Sequence, residues 1–352
     1  MYPLKARLLR TTLDAMYYTG IYRIFTPLWS GVGAIFTLHR VRSGADAGPF
    51  APNRILDVTP EFLEATISHV LDLGCDIVSL DEARQRLVNR DFGRKFVCFT
   101  FDDGYIDHYT TAFPIFRKYN APFTIYVTTG FTDGQAVFWW QHLEDTIAAN
   151  EEIGLRVGER DFRMQTRDTD EKCRAFSSIY WELRRAPQAV QQAAVRQLVE
   201  NYEIDNRGFC DRSALPWEML EKLAASELVT IGAHTINHYA SSKLPAAELR
   251  QEAAGSRDIL AHRLDVEPAH FAYPFGDRTS AAARDFGVIR ELGFGTATTT
   301  RKGVLFPEHA DHLHALPRVS LNGDYQTQRY IPVFLSGAPF ALWNRFRKLD
   351  VA

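Results

Sequence analysis

Two adjacent carboxylates, Asp102 and Asp103, close the apolar run Lys95-Phe96-Val97-Cys98-Phe99-Thr100-Phe101 and precede Gly104-Tyr105. Further along, His234-Thr235-Ile236-Asn237-His238 closes a second such run, Leu228-Val229-Thr230-Ile231-Gly232-Ala233. Both runs read as buried strands. Successive side chains of a strand point to opposite faces, so the two aspartates are set for different tasks, and Gly104 permits a sharp turn just beyond them. Two histidines four apart on a helical turn share one face and can meet one ion. One carboxylate with two imidazoles leaves coordination positions open, the arrangement of a hydrolytic rather than a structural metal. The other carboxylate would then stand beside activated water as a base. Taken singly, Asp-Asp-Gly is most often a turn and His-x-x-x-His a pair of unrelated histidines. Their shared position at strand ends favours the joint reading, because α/β scaffolds place function there.

These residues also carry a family resemblance. Thr100 to Tyr105 resembles the first motif of the polysaccharide deacetylases (NodB-homology domain, carbohydrate esterase family 4). His234 to His238 is similar to the second motif, and Phe271-Ala272-Tyr273-Pro274-Phe275-Gly276 to the third, in the variant with Ala where many members carry Arg. The resemblance spans roughly Ala34 to Leu321. It implies a distorted (β/α) barrel of seven or eight strands, with Asp103, His234 and His238 as metal ligands and Asp102 as catalytic base. By the same resemblance, the main-chain N–H of Phe275 would face the developing oxyanion. With Ala272 in place of the Arg that holds the base, Arg318 in Leu316-Pro317-Arg318-Val319 is the candidate substitute, against the reading of a surface Arg at a strand end.

A proton donor must reach the leaving amine. Phe36-Thr37-Leu38-His39-Arg40-Val41 resembles the early Tyr-His-x-Val segment of the permuted subgroup that deacetylates poly-N-acetylglucosamine, where the early His is the acid. His39 is therefore preferred to His314, which lies where other members place a late His. Tyr105, Tyr273 and Trp139 are read as substrate-contacting aromatics, with wall packing as the alternative.

Strand–helix alternation along the chain argues for parallel strands with crossover helices. Thr59-Pro60 reads as a helix start and Gly74 as its stop. Ile77 to Leu80 reads as a short strand, with Asp81 capping the next helix. Residues 1–30 read as a helical extension, 31–330 as the barrel with a helical insertion at about 139–216, and 331–352 as a helical tail. Net charge is −3, with pI about 6.4, so no nucleic-acid partner is indicated. The four cysteines lack paired spacing and read as free thiols. The run Ile24 to Leu38 is too short and too broken to span a membrane. A cytoplasmic location is favoured, with peripheral membrane contact through the tail as the alternative to packing. No oligomeric state is indicated.

The expected activity is metal-dependent removal of N-acetyl groups from N-acetylglucosamine-type units of an acetylated poly- or oligosaccharide. The ion would be Zn²⁺, with Co²⁺ or Ni²⁺ as alternatives. The competing functions are deacylation or deformylation of a lipid-linked sugar, and an inactive carbohydrate-binding member of the fold.

Overall fold

Aromatic and β-branched runs form the strands, and their partners decide which face is inside. The computed structural model describes residues 2–43 and 48–351. In chain order the strands are β1 (Gly33–Leu38), β2 (Arg40–Val41), β3 (Asp57–Val58), β4 (Asp76–Ile77), β5 (Phe96–Phe101) and β6 (Phe123–Val127). They continue with β7 (Glu152–Val157), β8 (Arg160–Gln165), β9 (Val229–Ala233), β10 (His270–Ala272), β11 (Thr296–Lys302) and β12 (Leu316–Ser320).

Strand β1 pairs in parallel with both β5 and β12, and the order β12-β11-β10-β9-β6-β5 returns to β1. Seven parallel strands thus close a distorted (β/α) barrel, with β4 added at the amino end of β5. On β5, Val97, Phe99 and Phe101 pack beneath the helices with Phe36, Phe116 and Phe123. Phe96 and Cys98 pack on the other face, with Ile35, Tyr126, Ala272 and Leu316. Each buried Phe of this kind contributes about 1.5–3 kcal/mol. Alternation puts Thr100 and Asp102 on the Cys98 face, inside the barrel.

Several local expectations hold. Thr59 caps the helix Pro60–Asp72 by accepting the Phe62 N–H at 3.1 Å, and Gly74 follows at φ +74°. Others shift. The strand expected at Ile77–Leu80 covers only Asp76–Ile77, and Ser79, not Asp81, caps the helix Leu80–Asn89. The stretch Ser43 to Asp57, with Gly44, Gly48, Pro49 and Pro52, reads from the sequence as a loop, and its residues 44–47 lie outside the described residues.

The insertion contains helices Trp139–Ala149, Thr169–Arg185, Gln188–Asn201 and Asn206–Ser213, but also the antiparallel β7–β8 hairpin that its helical pattern did not suggest. Ile153, Leu155 and Val157 alternate inward there, and Gly158 at φ +61° supplies the tight turn. This segment has its own apolar cluster, which includes Ile153, Leu155, Ile179, Leu183 and Leu198.

At the chain's ends, helices Tyr2–Thr19 and Ile21–Trp29 meet helices Tyr330–Leu335 and Ala338–Trp343. Asp14 binds Arg329 at 2.7 Å and accepts the Tyr330 hydroxyl at 2.9 Å. Among the described residues, no helix is long and apolar enough to cross a membrane.

Candidate active site

Strand β5 delivers Asp102 and Asp103 to the carboxyl end of the barrel in two directions. Asp102 keeps the strand's alternation, and its N–H binds the Leu38 carbonyl at 3.0 Å. Asp103 turns to φ +73° and leaves the strand line. Because β1 separates β5 from β12, Arg318 can reach Asp102 only across the interior. It does so with both ends of its guanidinium, at 2.7 Å to Oδ1 and 2.6 Å to Oδ2. Arg318 also donates to the Thr299 carbonyl at 2.9 Å and the Thr100 hydroxyl at 3.2 Å. The surface-Arg alternative does not apply, since Arg318 is 1% exposed. Burial alone would raise the Asp102 pKa, but the charges of Arg318 and His234 and the Arg318 hydrogen bonds outweigh it, and the net shift is downward.

On the other side of the peptide, Asp103 Oδ1 lies 3.1 Å from His238 Nε2 and 3.5 Å from His234 Nε2. All three groups are buried, and their ligand atoms lie within 4.8 Å of one another. Donors about 2.1 Å from one tetrahedral ion stand about 3.4 Å apart, so the set fits a divalent cation. Burial opposes ionisation of Asp103, yet the histidines hold its pKa well below the ordinary value. Burial lowers the His238 pKa further than Asp103 raises it. Carboxylate and neutral imidazole are the ligand forms. No Lys or Arg bonds Asp103 among the described residues.

The histidines do not lie on the expected helical turn. Residues 234–238 form an irregular turn with Thr235 at φ +67° and His238 at φ +58°. Glu252, on helix Ala246–Leu264, holds it by accepting the N–H groups of Ile236 (3.0 Å) and Asn237 (2.8 Å) and the Asn237 side chain (2.6 Å). The Thr235 hydroxyl accepts the His238 N–H at 2.9 Å. His234 Nδ1 donates to the Ala272 carbonyl at 2.7 Å, which aims Nε2 at Asp103.

Register places His39 beside this centre: Leu38 pairs with Phe101, so the residues that follow them are neighbours. His39 Nε2 is 3.9 Å from Asp102 Oδ2, and the ring is 23% exposed. Buried His108 binds the His39 carbonyl from behind. His314 is elsewhere. It binds the Phe294 carbonyl at 2.7 Å, where both residues precede their strands, at the amino end of the barrel.

Phe275 sits at φ +61°, with its carbonyl accepting the Thr300 hydroxyl at 2.6 Å. Its N–H has no hydrogen-bond partner among the described residues. The ring packs on His238 at 4.8 Å, and the Arg184 guanidinium lies 3.8 Å above it, tied to Asp277 at 2.6 Å. The expected sugar contacts are not placed to touch a ligand. Tyr105 and Tyr273 are fully buried, the latter donating to the His314 carbonyl at 3.0 Å, and Trp139 packs on Tyr180 and Phe275. They are wall residues because their rings complete apolar clusters. Trp140, 5.0 Å from His238, brings the insertion to the site. Glu252, Arg184 and His108 escaped the sequence reading, since their roles depend on partners 15 to 93 residues away.

A polysaccharide deacetylase family profile matches residues 89–294, more than half of the chain. The chain belongs to the polysaccharide deacetylase family. Its members are amide hydrolases that act on N-acetyl groups of carbohydrates, generally with a metal. No curated protein matches the chain. Among solved structures, the chain is similar to the Streptococcus pyogenes deacetylase PplD in complex with acetate, at 18% identity and TM-score 0.54 over 82% of this chain and 92% of that one. IcaB from Ammonifex degensii matches at 19% identity and TM-score 0.54, covering 86% of this chain and 97% of that one. A polysaccharide deacetylase from Bacillus cereus matches at 15% identity and TM-score 0.54, over 86% and 68%. At these identities the likeness is one of fold. Both His39 and Arg318 lie outside the segment that the deacetylase profile matches.

Proposed function

We propose that this deacetylase hydrolyses N-acetyl groups on N-acetylglucosamine-type units of a poly- or oligosaccharide, using one divalent ion held by Asp103, His234 and His238. The observation that carries the reading is the buried Asp103–His234–His238 trio set beside an arginine-held Asp102. When bound, the cation supplies Lewis acidity toward water and the amide carbonyl. Zinc suits this donor set best. Asp102, kept ionised by Arg318, takes the proton of the attacking water. The Phe275 N–H, free and directed by a left-handed turn, donates to the carbonyl oxygen as its charge grows. His39, beside Asp102 and reachable from solvent, gives a proton to the departing amine nitrogen. A binding module that had lost activity would have no need of ligand set, base and acid together.

The test is acetate release from a panel of N-acetylated and O-acetylated glycans after reconstitution with Zn²⁺. Release from N-acetylglucosamine oligomers supports the reading. Release confined to O-acetyl esters, or none from any glycan, contradicts it.

A further inference from the structure

The exposed faces of the first two helices carry an unusual surface for a chain of net charge −3. On helix Tyr2–Thr19, Leu8, Thr11, Thr12, Ala15, Tyr18 and Thr19 are exposed, and over residues 7–19 Arg7 is the one exposed charged residue beside them. The three threonine hydroxyls are turned back onto the helix, binding the carbonyls of Arg7, Leu8 and Ala15 at 3.0, 2.9 and 2.6 Å. Their methyl groups are thereby left as the outward surface. Helix Ile21–Trp29 continues this face with Ile21, Ile24 and Leu28, spaced three and four apart and 43%, 75% and 71% exposed. Phe346 of the tail stacks on Phe25 at 6.5 Å, and with Trp343, itself 56% exposed, extends the patch.

The surrounding charge has one sign. Residues 1–30 and 325–352 together contain eight Lys or Arg and two acidic residues, Asp14 and Asp350. Both acids are ion-paired, Asp14 with Arg329 and Asp350 with Arg278. Arg7, Arg23, Arg345, Arg347 and Lys348 remain at the surface beside the apolar face. An apolar helix face rimmed by cations suits the headgroup–acyl boundary of an anionic bilayer. A helix of this length is too short to span one.

We propose that this face docks the protein peripherally on anionic lipid membranes. Helix Ile21–Trp29 leads within a few residues into the amino end of β1, whereas the candidate site opens at the carboxyl ends. Docking there leaves the mouth of the barrel free.

The experiment is co-sedimentation of the full chain with vesicles of phosphatidylcholine alone, or with 30% phosphatidylglycerol as about a third of the lipid. Wild type is expected to pellet with the anionic vesicles at low salt and to be released as ionic strength rises. The double substitution Ile24→Glu, Leu28→Glu should weaken binding at least tenfold, and Arg345→Gln, Arg347→Gln several-fold. Trp181→Glu, an exposed aromatic of the insertion, should change nothing. Thermal unfolding of each variant reports that the fold is retained. Failure of wild type to bind anionic vesicles would overturn the proposal. So would a wild-type dimer in sedimentation velocity that the Ile24/Leu28 variant turns to monomer, since the face would then be covered by a second copy.

Discussion

On one side of the Asp102–Asp103 peptide the charges are complete within the chain, and on the other they are not. Asp102 has a buried guanidinium across both oxygens, itself anchored to two further groups. Asp103 faces two imidazoles, of which burial favours the neutral form at His238, and no Lys or Arg bonds it among the described residues. The first half is an ion pair made by folding; the second is a cavity of donors that calls for a cation. Backbone strain follows the same division. Asp103, Thr235, His238 and Phe275 all stand at positive φ, at about 1–3 kcal/mol each, while Asp102 directly follows β5 without a positive φ and Arg318 sits on β12. Strain is concentrated where ligand atoms must be aimed, and regular strand suffices where a long Arg can do the reaching.

The largest effect expected outside the aspartates is on the proton donor. His39→Ala should lower amide turnover by about 10²–10⁴-fold with metal content unchanged. An activated ester, whose leaving group needs no proton, should be nearly spared. Equal loss on both substrates would mean that His39 supports the site rather than donating.

The ion-paired half can be broken from either side. Arg318→Leu leaves Asp102 buried without a partner and should cost about 3–5 kcal/mol in urea unfolding. Adding Asp102→Leu should recover much of that loss, because an apolar pair replaces the ionic one. If the double variant were less stable than the single, the pairing would not be what holds this part of the interior.

A smaller effect is expected at Glu252. Glu252→Gln keeps the shape but weakens the hold on the turn at 235–238, and should lower metal affinity by about 10–100-fold. Excess metal should restore turnover, and an unrescued variant would argue for a role beyond positioning.

Much of this comparison was legible in the sequence because the strand ends carry short motifs. Asp102, Asp103, His234 and His238 each follow a strand visible as an apolar run. Arg318 could be named because Ala272 left a gap that some cation had to fill. What stayed hidden depends on distant contacts. The turn that aims His238 is held by Glu252, whose helix carries no local mark of that task. The β7–β8 hairpin was masked by charged residues on its exposed face. Aromatic residues near the motifs looked like sugar platforms, but Tyr105 and Tyr273 are consumed by packing.

Metal content measured alongside turnover in Asp102→Asn and Asp103→Asn separates the tasks of the two aspartates. Asp102→Asn should retain about one ion per chain while losing about 10²–10⁴-fold in rate. Asp103→Asn should lose most of the ion itself. Equal loss of metal in both variants, or full metal in Asp103→Asn, would contradict the account.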